Sequence, residues 1–407
     1  MDARRVAENA ARASYGRLLA LLASHSRDLA AAEDALSEAF VSALTVWPER
    51  GVPDNPDAWL MTAARNKMNN VYRHDEVRIA AREHIARQYA DLSELPREFP
   101  DERLKLLFVC AHPAIDTAMR TPLMMQTVLG LDATRIASAF FTSPATMGQR
   151  LVRTKSKIRV AGIRFEIPDT DEMPERLTYV LDAIYAAFGQ AWDAVPGCDD
   201  GTIDLTAEAI SVARLLVQLI PHDPEVKGLL ALMLYCEARR NARRSPDGAF
   251  VPLDEQDAAL WSRDMITEAE GLLTDAAKAQ TFGRYQTEAA IQSVHVQRPF
   301  FGSTNYQALR QLYALLVSRH PSLGAFIGYA GVMLKLENPA GALGILDGLP
   351  ADRVSNHQAY WVMRAHILLA LRRKNEARIA SDRAIGLTKD AALRDYLMQS
   401  LLGDLRD

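Results

Sequence analysis

Apolar residues recur at three- and four-residue spacing along almost the whole chain, and this periodicity constrains the fold more than any other feature. Runs that alternate strictly between apolar and polar residues, as strands require, are hard to find. Alanine, the best helix former, is abundant. The sequence therefore predicts an all-α protein. Two stretches that show the spacing are Leu18, Leu19, Leu22 and Leu29, and Val212, Leu215, Leu216 and Leu219.

The chain has 407 residues, enough for two to four domains. Its apolar fraction of 49% and charged fraction of 24% are typical of a globular protein and exclude a mostly disordered chain. The three cysteines lie too far apart for a disulfide framework or a four-cysteine metal site, which favours a reducing compartment. Neither a signal peptide nor a long apolar run is present, so we expect a cytoplasmic protein without a membrane span.

Proline-rich breaks divide the chain. The stretch 47–56 holds three prolines and a glycine and predicts a loop, after which Asn55 caps a helix that begins at Pro56. Linkers are predicted at 95–100 and 167–174, and they enclose a unit of about 65 residues, a plausible small domain. Further on, Asn338 and Asn375 mark similar helix starts 37 residues apart. This period is typical of a tetratricopeptide-like (TPR-like) solenoid, and a generic helical bundle remains the alternative.

Patterns that carry catalysis are missing from the sequence. It holds no GxxxxGK[ST] loop, no GxGxxG after a strand, no HExxH and no GxSxG. Cys110 and His112 form the one close Cys/His pair, and a closed zinc site usually needs four ligands. We therefore predict no enzyme activity, no metal and no cofactor.

A strongly basic segment stands out from this background. Between Ala133 and Phe165 there is no Asp or Glu, whereas seven residues are basic, in a chain of net charge -4. Contacts between such residues and phosphates supply most of the sequence-independent affinity for DNA. The basic residues are Arg135, Arg150, Arg153, Lys155, Lys157, Arg159 and Arg164.

Helix-turn-helix spacing surrounds this charge. A short helix is predicted from Asp132 to Phe140, with Ile136, Ala137 and Phe140 inward, and Ser143 caps a second helix that starts at Pro144. Gln149 and Arg150 lie near the start of the second helix, where side chains read base edges. Thr146 and Gly148 share that end, and Arg153, Lys155 and Lys157 lie further along, where side chains contact phosphates.

A second basic helix, rich in aromatic residues, is predicted from Pro56 to His74. Trp59 and Leu60 are expected in the core. Cationic and amide groups beside an aromatic ring suit single-stranded nucleic acid, whose unstacked bases can be captured. The residues with this chemistry are Arg65, Asn66, Lys67, Asn70, Tyr72 and Arg73, of which Arg65, Asn66, Lys67 and Arg73 are expected to be exposed.

These segments resemble a known family, the bacterial RNA polymerase sigma factors. Residues 32–40 and the helix with Trp59-Leu60, Ala64-Arg65-Asn66 and Arg73 resemble region 2, and Ile136-Ala137 with residues 143–155 resembles region 4. The layout of this chain, with these two regions and no domain between them, resembles that of the extracytoplasmic-function (ECF) sigma factors. Segments 224–234, 254–257, Trp261 and 283–286 resemble the ECF members that carry a large, partly TPR-like C-terminal extension.

The resemblance implies a function and a layout. Region 2 (1–90) would dock on the β′ clamp helices of core RNA polymerase through Asp34, Glu38 and Phe40, and its next helix would capture bases of the −10 element. After a linker (91–104), region 4 (105–167) would bind the −35 duplex and the β flap. A helical domain (175–298) and TPR-like repeats (299–407) would follow, with a possible protein or ligand partner.

The sequence also departs from the family pattern. Asn70 replaces a usual acidic residue, His74 an arginine, Gln126 a basic residue and Arg135 an acidic residue. These changes leave open a divergent promoter specificity. Two other readings stay open: a sigma-like scaffold or sensor that does not initiate transcription, and a helix-turn-helix repressor, which usually binds as a dimer and needs no second nucleic-acid surface.

Overall fold

The computed structural model describes residues 3–75, 101–140, 142–192 and 201–403, with the side chains at 14–68, 101–138, 140, 142–190 and 205–403. Among these residues there is no β-strand, only an isolated bridge between Arg244 and Phe250, so the predicted all-α fold is confirmed. The chain divides into two compact units, Met1–Leu216 and Val217–Asp407. No helix in the described residues is long and apolar enough to cross a membrane.

The first unit is built from nine described helices. They are α1 (Ala3–Ser26), α2 (Leu29–Arg50), α3 (Pro56–Asp75), α4 (Arg103–Cys110), α5 (Thr117–Thr127), α6 (Ala133–Ala139), α7 (Pro144–Val160), α8 (Met173–Trp192) and α9 (Gly201–Leu219), the last of which continues past the boundary of the unit.

Helices α1, α2 and α3 pack on one another around a leucine-rich core. The side chain of Asp28 caps α2 by accepting from Ala31 N at 3.1 Å, and that of Asn55 caps α3 by accepting from Ala58 N at 3.0 Å. The cap predicted at Asn55 is therefore present. Leu60 is buried as expected, and Trp59 is partly buried, with its ring edge-on to Trp47 at a centroid distance of 5.5 Å.

Helix α4 is almost wholly buried because α1, α5 and α8 all pack against it. Helix α8 also lies along α5. At this contact the buried Arg120 donates to Ile115 O at 3.2 Å, pairs with Glu175 and stacks over the ring of Tyr179, both of which belong to α8. The helix that follows the basic segment is thus part of the first unit's core.

The second unit begins with α10 (Pro224–Glu237), α11 (Arg263–Ala277) and α12 (Arg284–Val296). A Cβ atom at Gly228 on α10 would lie 2.5 Å from Gln286 N, so a glycine is needed where α10 meets the start of α12. Glu225 accepts there from the backbone N–H groups of Tyr285 (3.0 Å) and Gln286 (2.9 Å) and so satisfies the free donors of α12. Burial raises the pKa of this carboxyl, and the two hydrogen bonds oppose that rise.

The rest of the second unit is a run of short helices: α13 (Arg298–Phe301), α14 (Tyr306–Arg319), α15 (Leu323–Lys335), α16 (Pro339–Asp347), α17 (Ala351–Val354), α18 (Gln358–Ala370), α19 (Lys374–Leu387) and α20 (Ala391–Gly403). The hairpin of α15 and α16 is followed by the hairpin of α18 and α19, which begins 35 residues later (358 against 323). Asn338 caps α16 by accepting from Gly341 N at 2.9 Å.

Candidate nucleic-acid interface

Local sequence signals position the helix-turn-helix. Asp132 caps α6 by accepting from the backbone N–H groups of Thr134 (2.8 Å) and Arg135 (2.9 Å), and Ser143 caps α7 by accepting from Thr146 N at 3.2 Å. Helices α6 and α7 pack together through apolar faces that are closed to solvent. The buried residues of these faces are Ile136, Ala137, Met147, Leu151 and Ile158.

Phe140 departs from the inward orientation that the sequence predicts. It is 38% exposed, because α6 ends at Ala139 and the backbone at Phe140 has left helical geometry. The ring therefore does not follow the register of Ile136. It lies at the surface next to the turn that leads into α7.

The outer face of α7 carries most of the residues predicted to contact duplex DNA. Gln149, Arg150, Arg153 and Lys157 are exposed, and Thr146 and Gly148 are partly exposed at the start of the helix. No acidic residue lies on α7, so this face is cationic. It has the composition and the placement that a helix needs to lie in a major groove.

Lys155 differs from its neighbours because it is buried. Its side chain is 7% exposed and forms an ion pair with Glu33 of α2. One turn further along, Arg159 pairs with Asp28 at 3.2 Å. In this arrangement Lys155 faces α2 and not solvent, in contrast to the phosphate contact predicted from the sequence.

The first half of the other predicted nucleic-acid helix, α3, presents polar groups to solvent. Asn66 and Lys67 are exposed, and Arg65 is partly buried. Lys67 reaches Glu38 of α2 at 2.5 Å, and both side chains remain at least half exposed. The side chains of Asn70, Tyr72, Arg73 and His74 lie outside the described residues, although the backbone of α3 continues to Asp75.

The third predicted surface lies on α2. Asp34 and Glu38 are exposed one turn apart, whereas Phe40, two residues after Glu38, is partly buried and points to another side of α2. Val41 and Leu44 are also exposed, at 64% and 45%; Val41 lies three residues after Glu38, and Leu44 three residues after Val41. The sequence pattern alone did not single out these two residues; the three-residue steps from Glu38 to Val41 and from Val41 to Leu44 were the available signal.

Cys110 of the Cys110–His112 pair is enclosed in the core, with its Sγ 3.5 Å from Thr127 Oγ1. Burial raises the pKa of the Cys110 thiol to about 12. Burial and the nearby Arg176 lower the pKa of His112. No group of three or more His, Cys, Asp or Glu among the described residues could hold a metal ion.

Comparison with known proteins defines the class of the N-terminal part. Residues 11–77, which include α2 and all of α3, match sigma-70 region 2. Residues 176–277 match a family of unknown function, DUF6596. The first unit thus carries a domain of the sigma-70 family, which supports a role in transcription initiation and is not an enzymatic domain.

The whole chain also has a relative of similar length. This chain is 37% identical over 387 residues to an uncharacterized protein from Rhizobium meliloti (strain 1021). The match covers 93% of this chain and 91% of that protein. The chain therefore belongs to the same family as this rhizobial protein. No solved structure matches the chain.

Proposed function

We propose that the protein is a sigma factor of the ECF type that binds core RNA polymerase, recognises promoter DNA at two elements, and is regulated by its fused C-terminal part. The observation that carries the proposal is the pairing of a sigma-70 region 2 domain with a separate cationic helix-turn-helix on the same chain. A repressor would need the helix-turn-helix but would not need a region 2 domain.

The proposed roles follow from the exposed faces. Asp34 and Glu38 on α2 would meet basic groups of the polymerase clamp, and the exposed Val41 and Leu44, further along the same helix, would add apolar contact area. Asn66 on α3 is exposed to unpaired −10 bases, and the half-exposed Lys67 would reach them once its pair with Glu38 opens. Gln149 and Arg150 would read −35 base edges, with Arg153 and Lys157 at the phosphates.

The contacts of α8 support a regulatory role for the extension. Residues of α8 from Glu175 onward pack on α5, within the same unit as the helix-turn-helix. Arg103 of α4 also pairs with Glu208 of α9. A movement of α8 would therefore act on α5, which packs against α7, and a movement of α9 would act on α4, which packs against α5. The hairpins of the second unit, with their 35-residue spacing, fit a TPR-like surface for a protein partner.

Binding to core polymerase tests the proposal most directly. We expect the full chain to co-purify with core enzyme and the Asp34→Ala/Glu38→Ala double variant to lose that binding. The matched control, Asp264→Ala/Glu270→Ala, removes two exposed acidic residues from α11 of the second unit and is expected to bind normally. Equal binding by both double variants would remove the docking surface from the proposal.

Promoter-dependent transcription in vitro tests the two DNA faces separately. Arg150→Ala is expected to change discrimination at one or two positions of the −35 element, at a cost of about 1–3 kcal/mol there. Lys157→Ala is expected to weaken binding to all sequences and to reduce the salt slope by about one. Arg65→Ala is expected to leave duplex binding intact and to impair open-complex formation, measured by permanganate reactivity of the melted region.

A further inference from the structure

Two ion pairs and a close backbone contact join the region 2 helices to the helix-turn-helix. Lys155 pairs with Glu33, Arg159 pairs with Asp28, and a Cβ atom at Gly16 of α1 would lie 2.0 Å from the carbonyl oxygen of Val128, which follows α5. Only a glycine allows α1 to approach that carbonyl so closely. We refer to Glu33, Asp28, Lys155 and Arg159 as the α2–α7 latch.

The acidic side of the latch is held in place by its own surroundings. Tyr15 OH donates to Glu33 Oε1 at 3.4 Å, while Glu33 Oε2 meets Lys155. Burial and the adjacent Glu33 carboxylate raise the pKa of Tyr15, so its hydroxyl remains a donor. Asp28 accepts from Ala31 N through one oxygen and from Arg159 through the other. These contacts hold the two carboxylates in the orientation in which they meet α7.

The latch buries one cation of α7, Lys155, and pairs a second, Arg159, whose side chain stays 61% exposed. Lys155 is 7% exposed and its partner Glu33 is 16% exposed, so Lys155 cannot meet a phosphate while the pair is intact. A DNA backbone that replaces the two carboxylates would satisfy the same cations. Duplex DNA and the acidic face of α2 consequently compete for one edge of α7.

The latched form is also too short to reach two promoter elements. A path through contacting residues connects Gln149 on α7 to Lys67 on α3. It follows α7 for six residues, crosses the Lys155–Glu33 ion pair, follows α2 for five residues and crosses the Glu38–Lys67 ion pair. At 1.5 Å per helical residue and at most about 14 Å between the Cα atoms of a paired Lys and Glu, the two sites are no more than about 45 Å apart. Elements centred at −10 and −35 are separated by about 85 Å of B-form DNA.

We propose that the α2–α7 latch is an autoinhibitory contact, in which the acidic face of α2 acts as a built-in substitute for DNA phosphates and must be released before both promoter elements can be bound. This inference rests on the proposed sigma-factor function, because only a protein that contacts two distant elements needs to open. In the closed form, Lys155 and Arg159 pair with Glu33 and Asp28 of the same chain. In the open form, the two cations would pair with the phosphate backbone of DNA.

The first experiment measures the distance between α2 and α7 without DNA or polymerase. Spin labels are attached to Ser37→Cys on α2 and Ser156→Cys on α7, two exposed positions of full-length protein. Two native cysteines are removed by Cys198→Ser and Cys236→Ala. Cys110 is kept because its thiol is enclosed in the core. Glu33→Lys and Lys155→Glu each place like charges face to face, and we expect each to shift the distances to longer values. The charge-swapped double variant is expected to restore the short distance.

A second measurement links the latch to DNA. We expect Glu33→Lys to bind a mixed-sequence DNA duplex several-fold more tightly than Glu49→Lys, which makes the same charge change of +2 at an exposed position of the same helix. Gly16→Val opens the contact by steric conflict with Val128 and changes no charge, so we expect it to act like Glu33→Lys in both measurements.

The outcomes separate the latch from the proposed function. Folded Glu33→Lys and Lys155→Glu variants with unchanged label distances would overturn the latch. Longer distances with duplex affinity equal to that of Glu49→Lys would overturn the claim that the latch withholds α7 from DNA. Longer distances in a chain that binds no duplex in any variant would overturn the sigma-factor function, on which the inhibitory role depends.

Discussion

The packing of individual side chains sets which charged groups of this protein are exposed to solvent. Lys155 and Lys157 are two residues apart, yet the first is buried against Glu33 and the second is exposed. Because one turn of an α-helix takes 3.6 residues, side chains two residues apart point to widely different sides of the helix. A buried charge that loses its partner is strongly destabilising, so Lys155 and Glu33 must be considered as a pair.

A titratable group in the second unit leads to a prediction at the same scale. Burial, reinforced by Arg239 and Arg298 and opposed by Asp254, lowers the pKa of His295 to about 4. In the unfolded chain an ordinary histidine takes up a proton below about pH 6.5. Protonation therefore favours unfolding as the pH falls from about 6.5 toward 4, and the loss between pH 7.5 and 5.0 amounts to about 2 kcal/mol.

We expect the His295→Gln variant to lose this pH dependence, because glutamine does not titrate. The measurement is the free energy of opening of α12, obtained from hydrogen exchange of full-length protein at pH 7.5 and 5.0, with His320→Gln in the same unit as the control. An equal loss of stability at pH 5.0 in the wild type and in His295→Gln would contradict the assigned role.

Helices of the first unit begin where short local signals place them. The predicted start at Pro56 and the cap at Ser143 match α3 and α7, because a cap involves groups only two or three residues apart. The predicted orientation of Phe140 was wrong, because the helix ends before it and the direction of its ring depends on the turn.

The Ser143 cap leads to a prediction for α7 as an element. Ser143→Ala removes the oxygen that accepts from Thr146 N, and we expect a loss of about 1 kcal/mol in the free energy of unfolding of the first unit. Ser143→Asn keeps an acceptor and is expected to remain close to the wild type. Hydrogen exchange of residues 144–150 provides the measurement, and equal protection in the two variants would contradict the capping role.

The first unit as a whole extends beyond the helix-turn-helix. Helix α8 buries an apolar face in this unit, consisting of Leu177, Val180, Leu181, Ile184 and Phe188. At about 1.5–3 kcal/mol per large apolar side chain, this burial is comparable to the entire stability of a typical domain. The predicted linker at 167–174 therefore precedes helices on which the stability of the unit depends.

Truncation at two points tests this conclusion. We expect residues 1–168 to unfold without cooperativity or to aggregate, because the faces of α4 and α5 that contact α8 become exposed. Residues 1–220, which end just after α9, are expected to unfold cooperatively in urea. Cooperative unfolding of both fragments at similar urea concentrations would show that α8 and α9 are dispensable for the fold.

The sequence by itself determined the all-α fold, the helix starts at Pro56 and Pro144, and the basic outer face of α7, because periodicity, caps and charge runs act over a few residues. Only the tertiary structure decided that Lys155 is buried, that α8 completes the first unit, and that Val41 and Leu44 of α2 are exposed. Lys155 and its partner are 122 residues apart in the chain. No local pattern distinguishes it from Arg153 or Lys157, since its burial depends on which distant helix packs against that edge of α7.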